Sequence, residues 1–359
     1  MQTAPRSAVD TVRPSEVCTD VLEPRRKELV NSLVASRKWR LGSLAMPLVR
    51  SRTLRVAILA ALATLAMATT RASACIEVGI YRDNPQATLA PLQKQVGQGI
   101  SVISTYVTLG QQLDPAVVAL ARTRKARLLV TLMIDSGRDG SNQPLYSHAR
   151  IGSGRYDGKI RTFARRLKAS KLSIILRPLP EPNTQWWAWS GTVNGNTPQS
   201  YVQTWNRVRK LVKRNAGKRV KLLWAPYARS IPDTDDNAID RYFPGDTQVD
   251  LVGVSGYNFG LTDELEWLDP IELFQDPYIE IQNLSTKPFW IAETGTTARG
   301  GSKPTWLREL SRLQTSMPTL RGVVLYDVRE GAGDFRIAAN KKQRAATKAL
   351  LKTRCGKKR

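Results

Sequence analysis

The chain has 359 residues, 55 Lys and Arg against 30 Asp and Glu, a formal net charge of +25, and 42% hydrophobic residues. That apolar share excludes a wholly disordered chain, and the length holds one large domain or two ordinary ones. The basic excess points to an anionic neighbour such as nucleic acid, acidic lipid or an acidic wall polymer, and does not choose among them.

Residues 1–45 are polar and without clear periodicity. They read as a disordered leader or a mis-assigned start, with Met46 a sensible alternative first residue. In 46–74, Arg52 and Arg55 precede an apolar run from Val56 to Met67, and Ala72-Ser73-Ala74 forms a small-residue cleavage site. The run is too short to span a bilayer comfortably, so an export signal is expected, with a mature chain starting near Cys75 and carrying no membrane span. A lipid anchor on Cys75 is the competing reading. Only Cys75 and Cys355 survive such cleavage, and an exported pair is expected to form a disulfide rather than a metal site.

From residue 76 onward, short apolar, β-branched runs alternate with segments of helical period. The strand candidates are 76–81, 101–109, 126–134, 172–179, 220–227, 249–257, 288–295 and 321–328. The clearest helices are 158–170, 200–215, 305–317 and 341–352. Repeated βα units predict an α/β protein with a single (β/α)8 TIM barrel over 75–355, followed by a basic tail, 356–359. An open doubly wound sheet is the alternative, but "IYRDNPQATL" after the first strand lacks a glycine-rich phosphate loop.

In such barrels the carboxyl ends of the strands build the site, and two glutamates stand there: Glu181 after strand 4 and Glu293 closing strand 7. Alternation places Arg177, Leu179 and Glu181 on one side, and Pro178, Pro180 and Pro182 on the other. A residue before proline avoids the helical region, so Leu179 and Glu181 are expected extended, with Glu181 aimed from beyond the sheet. Two carboxyl groups across a barrel mouth suit glycoside cleavage, one as acid then base, the other as nucleophile. Arg177 and Tyr257, ending strands 4 and 6, are placed to support Glu293.

Trp186, Trp187 and Trp189 follow the acid at once, and indole faces stack on pyranose rings, although one of the three is expected in the core. Trp224, ending strand 5, either extends that wall or packs inside. The sole histidine, His148, argues against a histidine triad or a multi-histidine metal site, and reads as a surface or cleft-lining residue. No metal and no cofactor is expected. The acidic "DTDD" (233–236) reads as a solvated loop. The basic runs "RRLKASK" and "RVRKLVKRNAGKR" read as outer helix faces, with an anionic cell-wall polymer as a possible partner.

With these residues laid out, the chain resembles glycoside hydrolase family 26, the β-mannanase-type retaining family. The resemblance rests on "GRYDGKIRTFARRLKASKLSIILRPLPEPNTQWWAW", similar to the family's R-P-x-H-E-x-N-G-x-W-x-x-W motif with its G-x-Y-D lead-in. "YVQTWNRVRKLV", "FPGDTQVDLVGVSGYN", "KPFWIAETG" and "GDFRI" add to it. The resemblance implies Glu181 as acid/base, Glu293 as nucleophile, Tyr257 as its hydrogen-bond partner, and Trp186 and Trp189 in the sugar platform, with Asn183 matching the motif's asparagine. Pro180 stands where the family has histidine, Thr184 where it has glycine, and Tyr326 where a tryptophan is expected, which points to a reshaped sugar subsite.

The expectation is therefore a secreted, monomeric, retaining endo-acting hydrolase of β-linked polysaccharide, with β-1,4-mannan as default substrate and no nucleic-acid partner. A glucanase or xylanase of the same family is the nearest alternative. A barrel that binds carbohydrate or cell wall but has lost turnover through Pro180 is the rival from another class.

Overall fold

The structure is a computed structural model that describes residues 76–352, apart from 139, 263–264 and 332. The expected leader, signal peptide, Cys75–Cys355 pair and basic tail lie outside the described residues.

Eight parallel strands close on themselves in chain order: β1 (Glu77–Tyr81), β2 (Ile100–Thr108), β3 (Arg127–Met133), β4 (Ile174–Pro178), β5 (Val220–Trp224), β6 (Leu251–Asn258), β7 (Phe289–Thr296) and β8 (Leu320–Tyr326). β8 returns to β1 with Tyr326 level with Tyr81, which completes the barrel. Outside it lie α1 (Pro85–Val96), α2 (Pro115–Arg124), the short α3 (His148–Gly152), α4 (Asp157–Ala169), α5 (Pro198–Ala216), α6 (Pro270–Leu284), α7 (Lys303–Leu310), α8 (Leu313–Ser316) and α9 (Lys341–Lys352). The expected helix 305–317 is thus two pieces, α7 and α8. Between β5 and β6 the described residues form only short 3-10 turns, so the fifth unit lacks its outer helix.

Local sequence accounts for the helix ends. α5 begins with Thr197 accepting from the Ser200 N–H while the Ser200 hydroxyl answers the Thr197 N–H, and Pro198 fills the first turn. Its buried stripe of Tyr201, Trp205, Val208 and Val212 follows the helical period and seats it on the barrel. Asp269 and Glu272 cap α6 in the same reciprocal way.

Two apolar layers result. The larger lies between strands and helices; the smaller fills the barrel with Val102, Leu129, Ile175, Leu223, Ala225, Trp290, Ala292 and Val324. Trp290 needs two glycines beside it. A Cβ on Gly322 falls 2.2 Å from its ring, and one on Gly253 falls 2.0 Å from its carbonyl oxygen. Among the described residues no helix is long and apolar enough to cross a membrane.

Candidate active site

The inward positions of β2, β3, β4 and β6 turn polar toward the carboxyl ends: Tyr106, Thr131, Arg177, Ser255 and Tyr257 follow the apolar layer. Arg177 is the hub of this set. Its Nε donates to Thr131 Oγ1 (3.0 Å), one terminal nitrogen to Ser255 Oγ (2.7 Å), and the other to Glu293 Oε2 (3.0 Å) and the Tyr106 hydroxyl (3.3 Å). Both members of the Arg177–Glu293 pair are buried.

Glu293 reaches this cluster through a bulge. On β7, Trp290 and Ala292 point into the barrel, so strict alternation sends the next side chain outward. Against β6 the register steps from Ile291 facing Val254 to Glu293 facing Ser255, and against β8 from Ile291 facing Val323 to Thr294 facing Leu325. Both neighbours thus record one extra residue on β7. The bulge turns Glu293 back to the mouth, a common use of bulges beside active sites. There the Tyr106 hydroxyl donates to Oε1 at 2.5 Å and also contacts Oε2, and the Tyr257 hydroxyl donates to Oε1. Burial first, and the Glu293 charge second, raise both phenols well above the usual tyrosine range, which keeps their protons available for donation. Burial opposes the Arg177 charge, yet Glu293 and the nearby phenols outweigh it and raise the guanidinium further.

The approach to Glu181 departs from the expected geometry. Leu179 and Glu181 have φ of 49° and 54°, so both are left-handed rather than extended. Such φ is uncommon outside glycine and persists where surrounding contacts fix it. Those contacts are present: the Leu179 N–H donates to Leu132 O, the Glu181 N–H to Ala225 O, the Tyr201 hydroxyl to Leu179 O and the Trp189 indole to Pro180 O. The turn breaks the alternation, because Leu179 joins the outer apolar layer while Arg177 points inward. Glu181, 6% exposed, accepts from Trp186 Nε1 (3.0 Å) and Trp187 Nε1 (3.1 Å). Burial pushes its carboxyl above the ordinary range, the Arg177 charge opposes this, Glu293 adds to it, and the two indole bonds oppose it.

The other expected binding residues divide. Trp186 is half-buried beside Tyr227, with ring centroids 5.1 Å apart, and presents surface next to the acid. Trp187 stacks on Trp189 at 5.4 Å. Trp189 itself is fully buried, with its indole on the Pro180 carbonyl, so it backs the loop and offers no sugar platform. Trp224 is also fully buried and faces the outer layer against Phe243, because Leu223 takes the inward position. Asn183 is spent on the backbone: its Oδ1 accepts from the Tyr227 N–H, and its Nδ2 donates to Tyr227 O and Ser230 Oγ. Tyr326 stacks on Tyr81 at 5.1 Å and its hydroxyl donates to Glu330.

His148 is buried rather than cleft-lining. Its ring bridges Ser200 Oγ (2.7 Å) and the Trp189 carbonyl (2.8 Å), and burial brings its pKa down to about 4. Tyr106, Thr131, Ser255 and Phe259 escaped the sequence reading. Tyr106 is legible in hindsight, since it shares the inward face of β2 with Val102; Phe259, exposed above Tyr257 at 5.7 Å, sits on a loop without a pattern. Among the described residues no cluster of three or more His, Cys, Asp or Glu is arranged to hold a metal.

Fold and site together define a (β/α)8 barrel with two unlike, buried carboxyl groups at the carboxyl ends of its strands. The sequence profile of Glycosyl hydrolase family 26 matches residues 153–282, which include Glu181, so the chain is similar to that family over this segment. It is 26% identical over 211 residues to Endoglucanase H of Acetivibrio thermocellus, covering 57% of this chain and 23% of that protein. It is 27% identical over 139 residues to a mannan endo-1,4-beta-mannosidase of Bacillus subtilis, covering 38% of this chain and 34% of that one. The chain thus spans about a quarter to a third of these relatives' lengths. The GH26 domain of a Prevotella bryantii endo-beta-mannanase/endo-beta-glucanase shares the fold, with a TM-score of 0.57 at 11% identity over 77% of this chain and 89% of that one.

Proposed function

We propose that the protein is an exported, retaining, endo-acting glycoside hydrolase of β-linked polysaccharide, with Glu181 as acid/base and Glu293 as nucleophile. The contrast between the two carboxyl groups carries this reading. Glu181 is raised by burial, as a proton donor at neutral pH requires, while Glu293 receives an arginine and two phenols that all donate to it. In the first step Glu293 attacks the anomeric carbon as Glu181 protonates the departing oxygen. In the second, Glu181 takes a proton from water, which displaces Glu293 and restores the original anomeric configuration.

The names of the two relatives, an endoglucanase and a mannan endo-1,4-beta-mannosidase, support a glucan or a β-1,4-linked mannan, and mannan remains the default. The test measures new reducing ends on β-mannan, mixed-linkage glucan and β-1,3-linked polymers, beside Glu181→Ala and Glu293→Ala. Expected is release on one polymer, lost in both variants, with the β-anomer appearing first by NMR. Binding without release on any polymer moves the protein to a carbohydrate-binding role; initial release of the α-anomer overturns retention.

Export rests on the signal-like sequence before Cys75, and it brings the Cys75–Cys355 pairing with it. A bond closing so long a loop is worth about 2–4 kcal/mol. A secreted chain beginning at Cys75, with no titratable thiol after denaturation, is expected; two free thiols sink the pairing.

A further inference from the structure

The hydrogen bonds on Glu181 fall on one oxygen. Both indoles donate to Oε2, and among the described residues none is made to Oε1, which is not a sealed atom either. An indole N–H donates and never accepts, so while both are in place Oε2 serves as an acceptor. A neutral carboxyl carries its proton on one oxygen, and here that leaves Oε1.

We propose, on the reading of Glu181 as the acid, that Trp186 and Trp187 are paired positioning residues that commit Oε2 to accepting and hold the catalytic proton on Oε1, facing the cleft. In the reaction the Oε1–H bond breaks and the proton passes to the glycosidic oxygen, which keeps the electron pair of the breaking bond to the anomeric carbon. Negative charge then grows on the Glu181 carboxylate, and the two N–H bonds at Oε2 strengthen as it does. The indoles therefore assist the departure of the leaving group as well as aim the proton.

The two donors are held independently. Trp187 lies flat on Trp189, its backbone N–H donates to Ser190 Oγ (3.1 Å), and the Trp189 indole is tied to the carbonyl of Pro180, the residue before the acid. Behind them, a carbonyl accepts only, so the His148 Nε2 bound to Trp189 O bears its proton there. Trp186 is braced separately, edge-on to Tyr227. A loop built only to stack sugars has no need to converge two N–H groups on a single carboxyl oxygen.

The experiment compares Trp186→Phe, Trp187→Phe and the double variant, each losing an N–H and keeping an aromatic face, with Glu181→Gln in parallel. Substrates are an unactivated oligosaccharide of the cleaved polymer and the matching dinitrophenyl glycoside, whose leaving group needs no proton. An N–H bond to a carboxylate favours the anion, so its loss raises the acid's pKa. The alkaline limb of kcat/KM is expected to move up by about one pH unit per indole. kcat on the oligosaccharide is expected to fall by about 10- to 100-fold, with little loss on the dinitrophenyl glycoside.

An unmoved alkaline limb, with equal losses on both substrates, overturns the proposal and leaves the indoles as packing. If Trp187→Phe disturbs the stack and fails to fold, Trp186→Phe decides the matter on the same readouts. Glu181→Gln separates the two ideas: if it spares the oligosaccharide, Glu181 is not the acid, whereas loss there with silent tryptophan variants removes only the positioning role.

Discussion

Glu293 takes hydrogen bonds from Tyr106, Tyr257 and Arg177, and the phenols differ from the arginine in what their loss does. A hydrogen bond to a charged group is worth roughly 1.5–3 kcal/mol, so Tyr106→Phe and Tyr257→Phe are each expected to lower kcat by about 10- to 100-fold. Little change in KM is expected, since neither hydroxyl is placed to carry substrate binding alone. Steady-state kinetics on the cleaved polymer check this, and an unchanged kcat in both variants denies the phenols their role. His148 makes a prediction about stability instead. Its folded pKa of about 4 lies below the ordinary 6.5, so between those values the unfolded chain binds more protons. Stability therefore falls as pH drops from 6.5 through 4, by about 3 kcal/mol from this group. Urea unfolding at neutral pH and near pH 4 is expected to show that loss, and His148→Gln to remove its share while the carboxylates keep theirs. Equal pH dependence in both proteins refutes it.

At the scale of elements, two local departures from regular strand make the site: the bulge in β7 and the left-handed turn after β4. Neither was legible in the sequence. The eight strands were, because apolar β-branched runs separated by amphipathic segments have few other ways to bury themselves. Which side chain faces the mouth is a different matter, since one inserted residue or one positive φ reverses the count. Glu293 was placed in the mouth on the strength of its position alone, and a strict count would have sent it outward. Leu179 was placed inward by the same count and turned out to pack among the helices. Sequence leaves Trp224 open between cleft and core and does not say which of Trp186, Trp187 and Trp189 is buried, because an aromatic residue near a strand end looks alike whether it lines a cleft or fills a core; the structure buries Trp189 and Trp224. The barrel floor allows a sharper test. Gly322 has no room for a methyl group beside Trp290, and overpacking of this kind costs about 1–3 kcal/mol. Gly322→Ala is expected to lose that much in denaturant unfolding, and a second change, Trp290→Leu, to recover part of it. Unaltered stability in the single variant argues against the tight floor.

For the whole molecule, the net charge of +25 over the 359 residues calls for a role beside the proposed binding of a neutral sugar polymer. Within the mouth the buried Arg177 is matched by Glu293. On α4 and α5, which pack side by side, Lys159, Arg165, Lys168, Lys210 and Arg214 are exposed, while Arg161 and Arg207 share Asp157 and Lys213 pairs with Asp250. If these helix faces bind a polyanion, that binding and the proposed catalysis are expected to respond differently to salt. Exposed charges are screened over about 10 Å at 0.1 M salt and about 3 Å at 1 M. Retention on an anionic cell-wall preparation is expected at low ionic strength and its loss toward 1 M, whereas hydrolysis of a soluble neutral polymer is expected to stay nearly constant over that range. On a neutral polymer embedded in an anionic matrix, hydrolysis should then fall with salt in step with retention. If it does not, the basic helix faces do nothing to bring the mouth to its substrate, and the charge has to be explained by solubility alone.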